Sequence, residues 1–257
     1  MVAAIPDRWL QYKACGRVIE GTRIICFKVP LKRNVQVKHV VNNDIWDIRM
    51  LLIHIPNLGA IFDLTNTTRY YDPKKFAAAG VYHKKIFMPG RIIPPENKVI
   101  EFMNAVDRFL EQNDKSLIGV HCTHGLNRTG YMVCRYMRDR LGVPAAEAIR
   151  RFELARGYQI ERENYIADLL GKTPPPPDVG CDTIIKPIEN NNSKFTTPMK
   201  KDIIKHFNEK GAKKEDSRSC RVNSEAVKSD KKKIKKSTRK ASERKRSDSP
   251  YDFKYDY

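Results

Sequence analysis

Signals for membranes and for secretion are missing from this sequence. No apolar stretch is long enough to span a bilayer, and residues 1–9 lack the apolar core of a secretory signal peptide. Six cysteines at irregular spacing in 257 residues do not form the pattern of a disulfide scaffold. We therefore expect a protein of a reducing compartment, without a membrane partner, in which a free thiol can persist.

Metal and cofactor motifs are also scarce. His121, Cys122 and His124 form one cluster of candidate zinc ligands, but structural zinc takes paired clusters and the sequence has no second one. Residues 125–130 begin like a nucleotide-binding phosphate loop, yet Tyr131 stands where that motif requires lysine. Neither motif is complete, so we expect no metal and no cofactor.

Positive charge, by contrast, is abundant and lies in two unlike regions. Residues 1–172 hold 27 Lys and Arg against 17 Asp and Glu, and residues 173–257 hold 22 against 13. The prolines at 174–177 separate an apolar, periodic sequence from a polar, lysine-rich one that cannot bury a core. We predict one globular domain over 1–172 and a disordered basic tail over 173–257. Such charge favours a polyanionic partner, above all nucleic acid.

Short apolar runs alternate with amphipathic stretches along residues 1–172. This order predicts an α/β fold, in which helices flank a central, mostly parallel sheet and ligands bind at the carboxyl ends of the strands. The predicted strands are 22–29, 59–64, 81–88 and 117–120; the predicted helices are 44–55, capped by Asp44, then 72–80, 95–112, the segment after Arg128, 144–155 and 163–170.

The stretch richest in chemistry is GVHCTHGLNRTGY, residues 119–131, between an apolar run and a helix. A glycine-bearing loop and a helix N-terminus point their N–H groups at one place and so form a cradle for an anion. Near Arg128 and His121, the Cys122 thiol should have a lowered pKa and attack phosphorus as a thiolate. Arg128 can hold two phosphoryl oxygens, and the Thr129 hydroxyl can support the departing thiolate. A buried structural thiol is the less favoured alternative.

The pattern His-Cys-x5-Arg-Thr-Gly resembles the signature of cysteine-dependent phosphatases of the protein tyrosine phosphatase superfamily. HCTHGLNRTGY at 121–131, DLTNTTRYYDP at 63–73 and IPDRWLQYKACGRVIEGTRIICFKVPL at 5–31 look like its branch of RNA 5′-triphosphatases. KIFMPGRIIPPENKV at 85–99 and ERENYI at 161–166 most resemble two standalone members, the RNA/RNP-complex-interacting phosphatase and the baculovirus RNA 5′-phosphatase. The similarity covers about residues 5–171 and leaves the tail outside it.

The resemblance implies a role for each residue of the motif. Cys122 would be the nucleophile, Arg128 the phosphate clamp, and Thr129 a group that assists turnover. Arg162 lies in a block that faces the pocket in this branch and would hold a second phosphate; an exposed arginine at a helix start is the alternative. The remaining substrate contacts are assigned to the loop and its flank, namely His121, Thr123, His124, Gly125, Leu126 and Asn127.

The general acid of the reaction is not evident from the sequence. The Trp-Pro-Asp loop that carries it in tyrosine phosphatases does not occur here. Asp63, after an apolar strand, and Glu96, at a loop-to-helix junction, are the candidates, and a structural role for Asp63 is equally well supported. A departing phosphate, whose last pKa is about 6, needs protonation less than a phenol with a pKa near 10. The missing loop therefore favours a phosphoanhydride substrate.

These observations predict an RNA 5′-triphosphatase and diphosphatase that removes the γ- and then the β-phosphate through a phosphocysteine, without metal. Its partner would be RNA with a 5′-triphosphate or diphosphate end. The alternatives are a dual-specificity protein phosphatase, a cap-forming triphosphatase that stops at the diphosphate, and a non-catalytic RNA-binding module. We do not expect a bifunctional capping enzyme, because the nucleotidyl-transfer motif Lys-x-Asp-Gly does not occur in this sequence.

Residues 228–246 of the tail hold eleven basic and two acidic residues. Such a run is typical of a nuclear localisation signal or of a non-specific RNA contact. We therefore expect a nuclear, monomeric protein whose tail contacts RNA and RNA-processing proteins.

Overall fold

A five-stranded sheet forms the centre of the computed structural model, which describes residues 4–40, 44–178 and 184–188. Its strands are β1 Cys15–Val18, β2 Ile24–Phe27, β3 Leu58–Asp63, β4 Tyr82–Lys85 and β5 Leu117–His121. They lie in the order β1-β2-β5-β3-β4. The β1–β2 pair is antiparallel, and the other three pairs are parallel. The predicted α/β fold with a mostly parallel sheet is confirmed.

Helices cover both faces of this sheet. Along β3, Ala60 and Phe62 pack into one apolar cluster and Ile61, which lies between them, packs into the other, as the two-residue period of a strand requires. Leu58 packs with Ile61, because the register of β3 is irregular between Leu58 and Ala60. The first cluster takes its helical residues from α4 to α7, and the second takes them from α2, α3 and the N-terminal segment around Trp9. The helices are α1 Arg33–Gln36, α2 Ile48–His54, α3 Lys74–Ala78, α4 Glu96–Gln112, α5 Asn127–Asp139, α6 Ala145–Arg156 and α7 Glu163–Leu169.

Two local predictions need correction. The helix predicted to start at Asp44 begins at Ile48, because the Asp47 carboxylate, rather than that of Asp44, accepts a hydrogen bond from the Met50 N–H at 2.9 Å. The sequence pattern also missed β1, a short edge strand in which Arg17 and Val18 are exposed and which is irregularly paired with β2. A strand with so little buried surface gives almost no periodic signal.

Some described residues beyond the predicted boundary after Lys172 pack on the domain. The Gln159 N–H donates to the Lys186 carbonyl and the Ile188 N–H donates to the Gly157 carbonyl, both at 3.0 Å. Ile185 packs against the larger apolar cluster. The folded unit therefore includes 173–178 and 184–188, and the basic run at 228–246 lies outside the described residues.

None of the helices in the described ranges is long and apolar enough to cross a membrane.

Candidate active site

The Cys122 loop, residues 122–126, lies at the carboxyl edge of the sheet, between β5 and α5. Neighbouring segments fix it there, since the Val29 N–H donates to the Thr123 carbonyl at 3.1 Å. Gly125 has a φ of +64°, and a β-carbon at this position would lie 2.0 Å from the Phe27 carbonyl oxygen. Only glycine fits this combination of left-handed backbone and close approach. The loop can therefore wind tightly enough for its N–H groups to converge.

Cys122 sits at the floor of this loop, and its side chain is buried. Burial alone would raise the pKa of the thiol. The Arg128 charge, the Thr129 hydroxyl and the backbone N–H groups of Thr129 and Leu126 outweigh that effect and hold the pKa below the ordinary 9.0. The Thr129 hydroxyl oxygen is buried and has no oxygen or nitrogen partner in the described part of the chain, so the sulfur is the group that it serves. The site thus favours a thiolate.

Arg128 is held rigidly beside the loop. One terminal nitrogen, Nη1, donates to the carbonyls of Met88 and Leu64 at 2.7 and 3.3 Å, and Nη2 donates to the Thr123 hydroxyl at 3.0 Å. A guanidinium has five N–H groups, and these bonds use three of them. The remaining Nε–H and one Nη2–H can donate two parallel hydrogen bonds to the oxygens of a phosphoryl group.

Arg156 supports the loop from below. This residue is 1% exposed, and its guanidinium donates to the carbonyls of Gly125 and His124 at 3.0 and 2.9 Å. Because these carbonyls are drawn toward Arg156, they turn away from the pocket. The buried cation also adds positive charge beneath the anion cradle, although burial lowers its pKa from the usual value.

The opening above Cys122 is lined by arginines. Arg8, Arg91, Arg128 and Arg162 all border it. Arg8 and Arg91 have φ values of 56° and 70°, and they are the two residues other than glycine with positive φ within the described ranges. Such a backbone is costly for a bulky residue and tends to be kept where function requires it. The other residues that line the opening are Asp7, Gly90, Thr123, His124, Asn127, Glu161 and Tyr165.

Glu161 fixes one side of this opening. Its carboxylate accepts from Arg8 at 2.8 Å, from Asn127 at 3.1 Å and from the Tyr12 hydroxyl. Burial would raise the pKa of Glu161, but these donors, led by Tyr12, bring it below the usual 4.5. The Asn127 side-chain oxygen in turn accepts from the Glu161 N–H at 2.8 Å. An ionised glutamate thereby ties the N-terminal segment to the start of α5.

Comparison with known proteins decides the family. Residues 50–173 match the family described as the catalytic domain of dual specificity phosphatases. A tyrosine-protein phosphatase of Autographa californica nuclear polyhedrosis virus is 50% identical over 165 residues, or 64% of this chain and 98% of the viral protein. The chain belongs to the dual-specificity phosphatase family. It is a cysteine-dependent phosphatase, and Cys122, Arg128 and Thr129 occupy the family's motif.

Two further proteins are similar to this phosphatase. The RNA/RNP complex-1-interacting phosphatase of Homo sapiens is 43% identical over 171 residues, which are 64% of this chain and 51% of the human protein. The chain thus matches about half the length of that relative. A crystal structure of Tk-PTP in its active form has a TM-score of 0.48 at 15% identity, and the match covers 62% of this chain and 97% of the Tk-PTP chain. The similarity to viral and RNA/RNP-interacting phosphatases agrees with the branch expected from the sequence.

Asp63, expected as a general acid, is placed elsewhere in this phosphatase. Its carboxylate is buried behind the loop, where it accepts from the Thr65 N–H and hydroxyl, the Tyr71 hydroxyl and Lys85 at 2.7–3.1 Å. Burial opposes ionisation, but His121, Lys85 and these hydrogen bonds lower its pKa to about 2. An ionised, fully bonded carboxylate has no proton to donate and does not border the opening. These contacts favour the structural role for Asp63 over the catalytic one.

Glu96, the second candidate acid, is also remote from the nucleophile. It begins α4 and forms a two-pronged ion pair with Arg135 at 2.8 and 2.9 Å. Its side chain is 61% exposed and does not line the opening. Among the described residues, the carboxylates that do line it are Asp7 and Glu161.

The remaining predicted contacts divide into two groups. Thr123, His124, Asn127 and Arg162 line the opening, and Arg162 is 7% exposed rather than a solvent-facing helix start. His121 does not line it: its ring is buried, Nε2 lies 3.0 Å from the Tyr71 hydroxyl, and Nδ1 lies 3.2 Å from the Cys122 carbonyl. Burial lowers the pKa of His121 to about 4, so the ring is neutral at pH 7, and its contacts hold the loop. The loop residues Gly125 and Leu126 are buried, and they contribute to the site through their backbone.

The zinc interpretation of His121, Cys122 and His124 finds no support in their contacts. The His124 Nε2 bonds the Asp7 carbonyl at 2.7 Å, and its ring packs against the Tyr12 ring. Across the described residues, no three His, Cys, Asp or Glu side chains converge as a metal site would require.

Sequence reasoning missed four residues that shape the site, namely Arg8, Arg91, Arg156 and Glu161. Arg8 and the Gly90-Arg91 pair lie in the segments 5–31 and 85–99, which resemble the family. That resemblance is the one sequence signal for them. Arg156 follows a helical pattern in which arginine is normally solvent-exposed. Its burial depends on the Cys122 loop packing across the end of α6, which no local pattern reveals.

Proposed function

We propose that this phosphatase removes phosphates from the 5′ ends of RNA that carry two or three of them. The observation that supports the proposal is the set of four arginines around Cys122. A phosphomonoester brings one phosphoryl group with a charge of about −2, which Arg128 and the loop amides suffice to bind. A chain of three phosphoryl groups extends beyond that cradle, and Arg8, Arg91 and Arg162 border the space into which it extends.

The placement of the carboxylates supports the same substrate. Asp63 and Glu96 lie away from the opening, and Glu161 is held ionised by Arg8, Tyr12 and Asn127. An aryl ester needs a proton donor because a phenolate is a poor leaving group, whereas a phosphate or diphosphate leaves without one. A site without a buried, protonated acid is suited to splitting phosphoanhydrides.

The reaction would run in two steps at one sulfur. The Cys122 thiolate attacks the γ-phosphorus, a sulfur–phosphorus bond forms, and the anhydride bond breaks with its electrons leaving on the β-phosphate. Arg128 and the loop N–H groups stabilise the charge on the transferring phosphoryl group. Water then attacks the phosphocysteine, which releases orthophosphate and returns the thiolate, with the Thr129 hydroxyl supporting the sulfur.

A second round would remove the β-phosphate. The diphosphate end still contains one anhydride bond, and Arg162 can retain the adjoining phosphate while the terminal one enters the Cys122 loop. The resulting monophosphate is joined to ribose by an ester, whose alkoxide is a far poorer leaving group. The proposed product is therefore RNA with a 5′-monophosphate.

The name of the human relative records an interaction with an RNA/RNP complex, and we extend RNA as a partner to this chain. The basic run at 228–246 is the basis for proposing a nuclear location and a non-specific contact with long RNA. A fluorescent fusion with and without 228–246 tests the location, since equal nuclear signal in both would remove the role of this run.

One experiment tests the activity. Phosphate release is measured from a short 5′-triphosphorylated RNA, from the same RNA with a 5′-diphosphate, and from a phosphotyrosine peptide, with the RNA products resolved by gel. We expect triphosphate to pass through diphosphate to monophosphate, at a kcat/KM at least about tenfold above that of the peptide. Faster action on the peptide would assign the chain to protein substrates. A diphosphate end that persists with more enzyme would indicate a cap-forming triphosphatase.

A further inference from the structure

The chain after α7 turns back toward the Cys122 opening. α7 has seven residues and ends near Gly171, where a φ of +68° reverses the backbone. A helix of this length rises about 10 Å. The four prolines at 174–177 favour an extended conformation that advances about 3 Å per residue. That reach brings Asp178 back to the start of α7, where Arg162 lies.

Asp178 contacts two of the arginines that border the opening. Its carboxylate Oδ2 forms an ion pair with Arg162 Nη1. Its backbone carbonyl accepts from Arg91 Nη1 at 3.4 Å, the outer limit of a hydrogen bond. The Arg162 side chain is 8% exposed and that of Asp178 is 30% exposed, so the carboxylate covers the arginine from the solvent side.

This contact is only half satisfied. The second carboxylate oxygen, Oδ1, is buried and has no hydrogen-bond partner among the residues that the structure describes. A carboxylate can accept several hydrogen bonds, and a buried oxygen that accepts none is unfavourable. An anion that offers Arg162 more oxygens in better geometry can therefore displace Asp178. A phosphoryl group has three such oxygens.

We propose that Asp178 is a specificity-determining residue that competes with the second phosphate of the substrate for Arg162. A single phosphoryl group bound by the Cys122 loop leaves the Asp178–Arg162 pair in place. A chain of two or more phosphates reaches Arg162 and must displace the carboxylate. The identity of the substrate rests on the function proposed above, but the competition for Arg162 involves phosphate chains of any source.

Binding to the full-length Cys122→Ser protein tests this competition without turnover. Dissociation constants for inorganic tripolyphosphate and for orthophosphate are measured by calorimetry in that protein, and again after Asp178→Asn is added. We expect Asp178→Asn to tighten tripolyphosphate binding about threefold to fivefold relative to orthophosphate, the range that a partly exposed ion pair supplies. The matched control is Glu163→Gln, which removes the same charge from an exposed neighbour of Arg162 and should leave the ratio unchanged.

A second comparison shows whether the effect passes through Arg162. In a protein that also carries Arg162→Gln, Asp178→Asn should no longer change the ratio, because the two residues would then be uncoupled. Weaker tripolyphosphate binding in Asp178→Asn would overturn the proposal, since Asp178 would then position Arg162 for phosphate. An unchanged ratio, or an equal gain from Glu163→Gln, would also overturn it. Failure of the RNA assay with the wild-type enzyme is a separate result, which these measurements do not depend on.

Discussion

The two halves of this pocket are built in opposite ways. The inner half, formed by the Cys122 loop, Arg128 and Thr129, is one contiguous segment that is buried and hydrogen-bonded. The outer half, formed by Arg8, Arg91 and Arg162, comes from three distant segments. Two of its arginines adopt positive φ, and Arg8 and Arg162 each pair with a carboxylate.

This difference suggests a division of labour. The inner half presents one nucleophile and a cradle for one phosphoryl group, which any cysteine-dependent phosphatase needs. The outer half determines what is attached to that phosphoryl group. Substitutions in the inner half should therefore reduce kcat, whereas substitutions in the outer half should mainly raise KM for substrates with several phosphates. The predictions below test that division, from the largest expected effect to the smallest.

Cys122→Ser should abolish turnover, by about 10³-fold or more, because a serine hydroxyl at this site is not ionised and cannot form the intermediate. Phosphate release from triphosphorylated RNA measures the loss. RNA binding should persist, since Arg128 and the loop N–H groups remain. Residual activity above about a tenth of the wild-type rate would refute the covalent mechanism.

Arg128→Lys should lower kcat by about 10²- to 10³-fold, the range seen when a donor to the transition state is removed. Lysine keeps the charge but loses the two parallel hydrogen bonds to phosphate and the bonds to Met88, Leu64 and Thr123. Single-turnover rates separate this effect from binding. A variant in which KM rises and kcat is unchanged would show that Arg128 acts in binding, as the outer half is expected to do.

The same division explains what the sequence predicted well. A helix start, a required glycine and the Cys-x5-Arg spacing are local features, so the chemistry around Cys122 and the parallel sheet followed from patterns. The outer half depends on tertiary packing that joins Arg8 to Glu161 and the Asp7 carbonyl to His124. Asp63 was ambiguous for the same reason, because only the structure shows Lys85 and Tyr71 around it. The packing of 173–178 and 184–188 on the domain was equally invisible, since prolines and polar residues lack periodicity.

Acid pH should destabilise the folded protein through His121, which supports the inner half from behind. Its pKa is about 4 in the folded protein against 6.5 ordinarily, so as pH falls the unfolded chain takes up this proton first. The contribution of this group to the free energy of unfolding is therefore complete above pH 6.5. It falls by about 3 kcal/mol as the pH is lowered from 6.5 to 4. Urea unfolding at pH 7, 5.5 and 4 measures it. His121→Asn, which cannot titrate, should show a smaller decline, and an identical decline would contradict the assignment.

Arg162→Gln should raise KM for triphosphorylated RNA about tenfold, the loss expected for one charge-assisted contact to phosphate. The increase for an aryl monophosphate should be several times smaller, because its single phosphoryl group is bound by the Cys122 loop. Arg108→Gln is the matched control, since Arg108 is exposed on α4 and does not border the opening. Equal increases for both substrates would show that Arg162 acts on the inner half.

Asp7→Asn should change phosphate release from triphosphorylated RNA by less than about twofold, the smallest effect in the series. Asp7 is the exposed carboxylate at the rim of the opening, and its backbone, fixed by the His124 bond, should keep its place in the variant. If Asp7 donated a proton to the leaving group, the variant would lose about 10²- to 10⁴-fold. A phosphate leaving group needs no such donor, so the charge of Asp7 is dispensable for an anhydride. Asp114→Asn, an exposed residue before β5 at the opposite edge of the sheet, controls for net charge. A tenfold loss in Asp7→Asn alone would restore a general acid to the mechanism and weaken the case for an anhydride substrate.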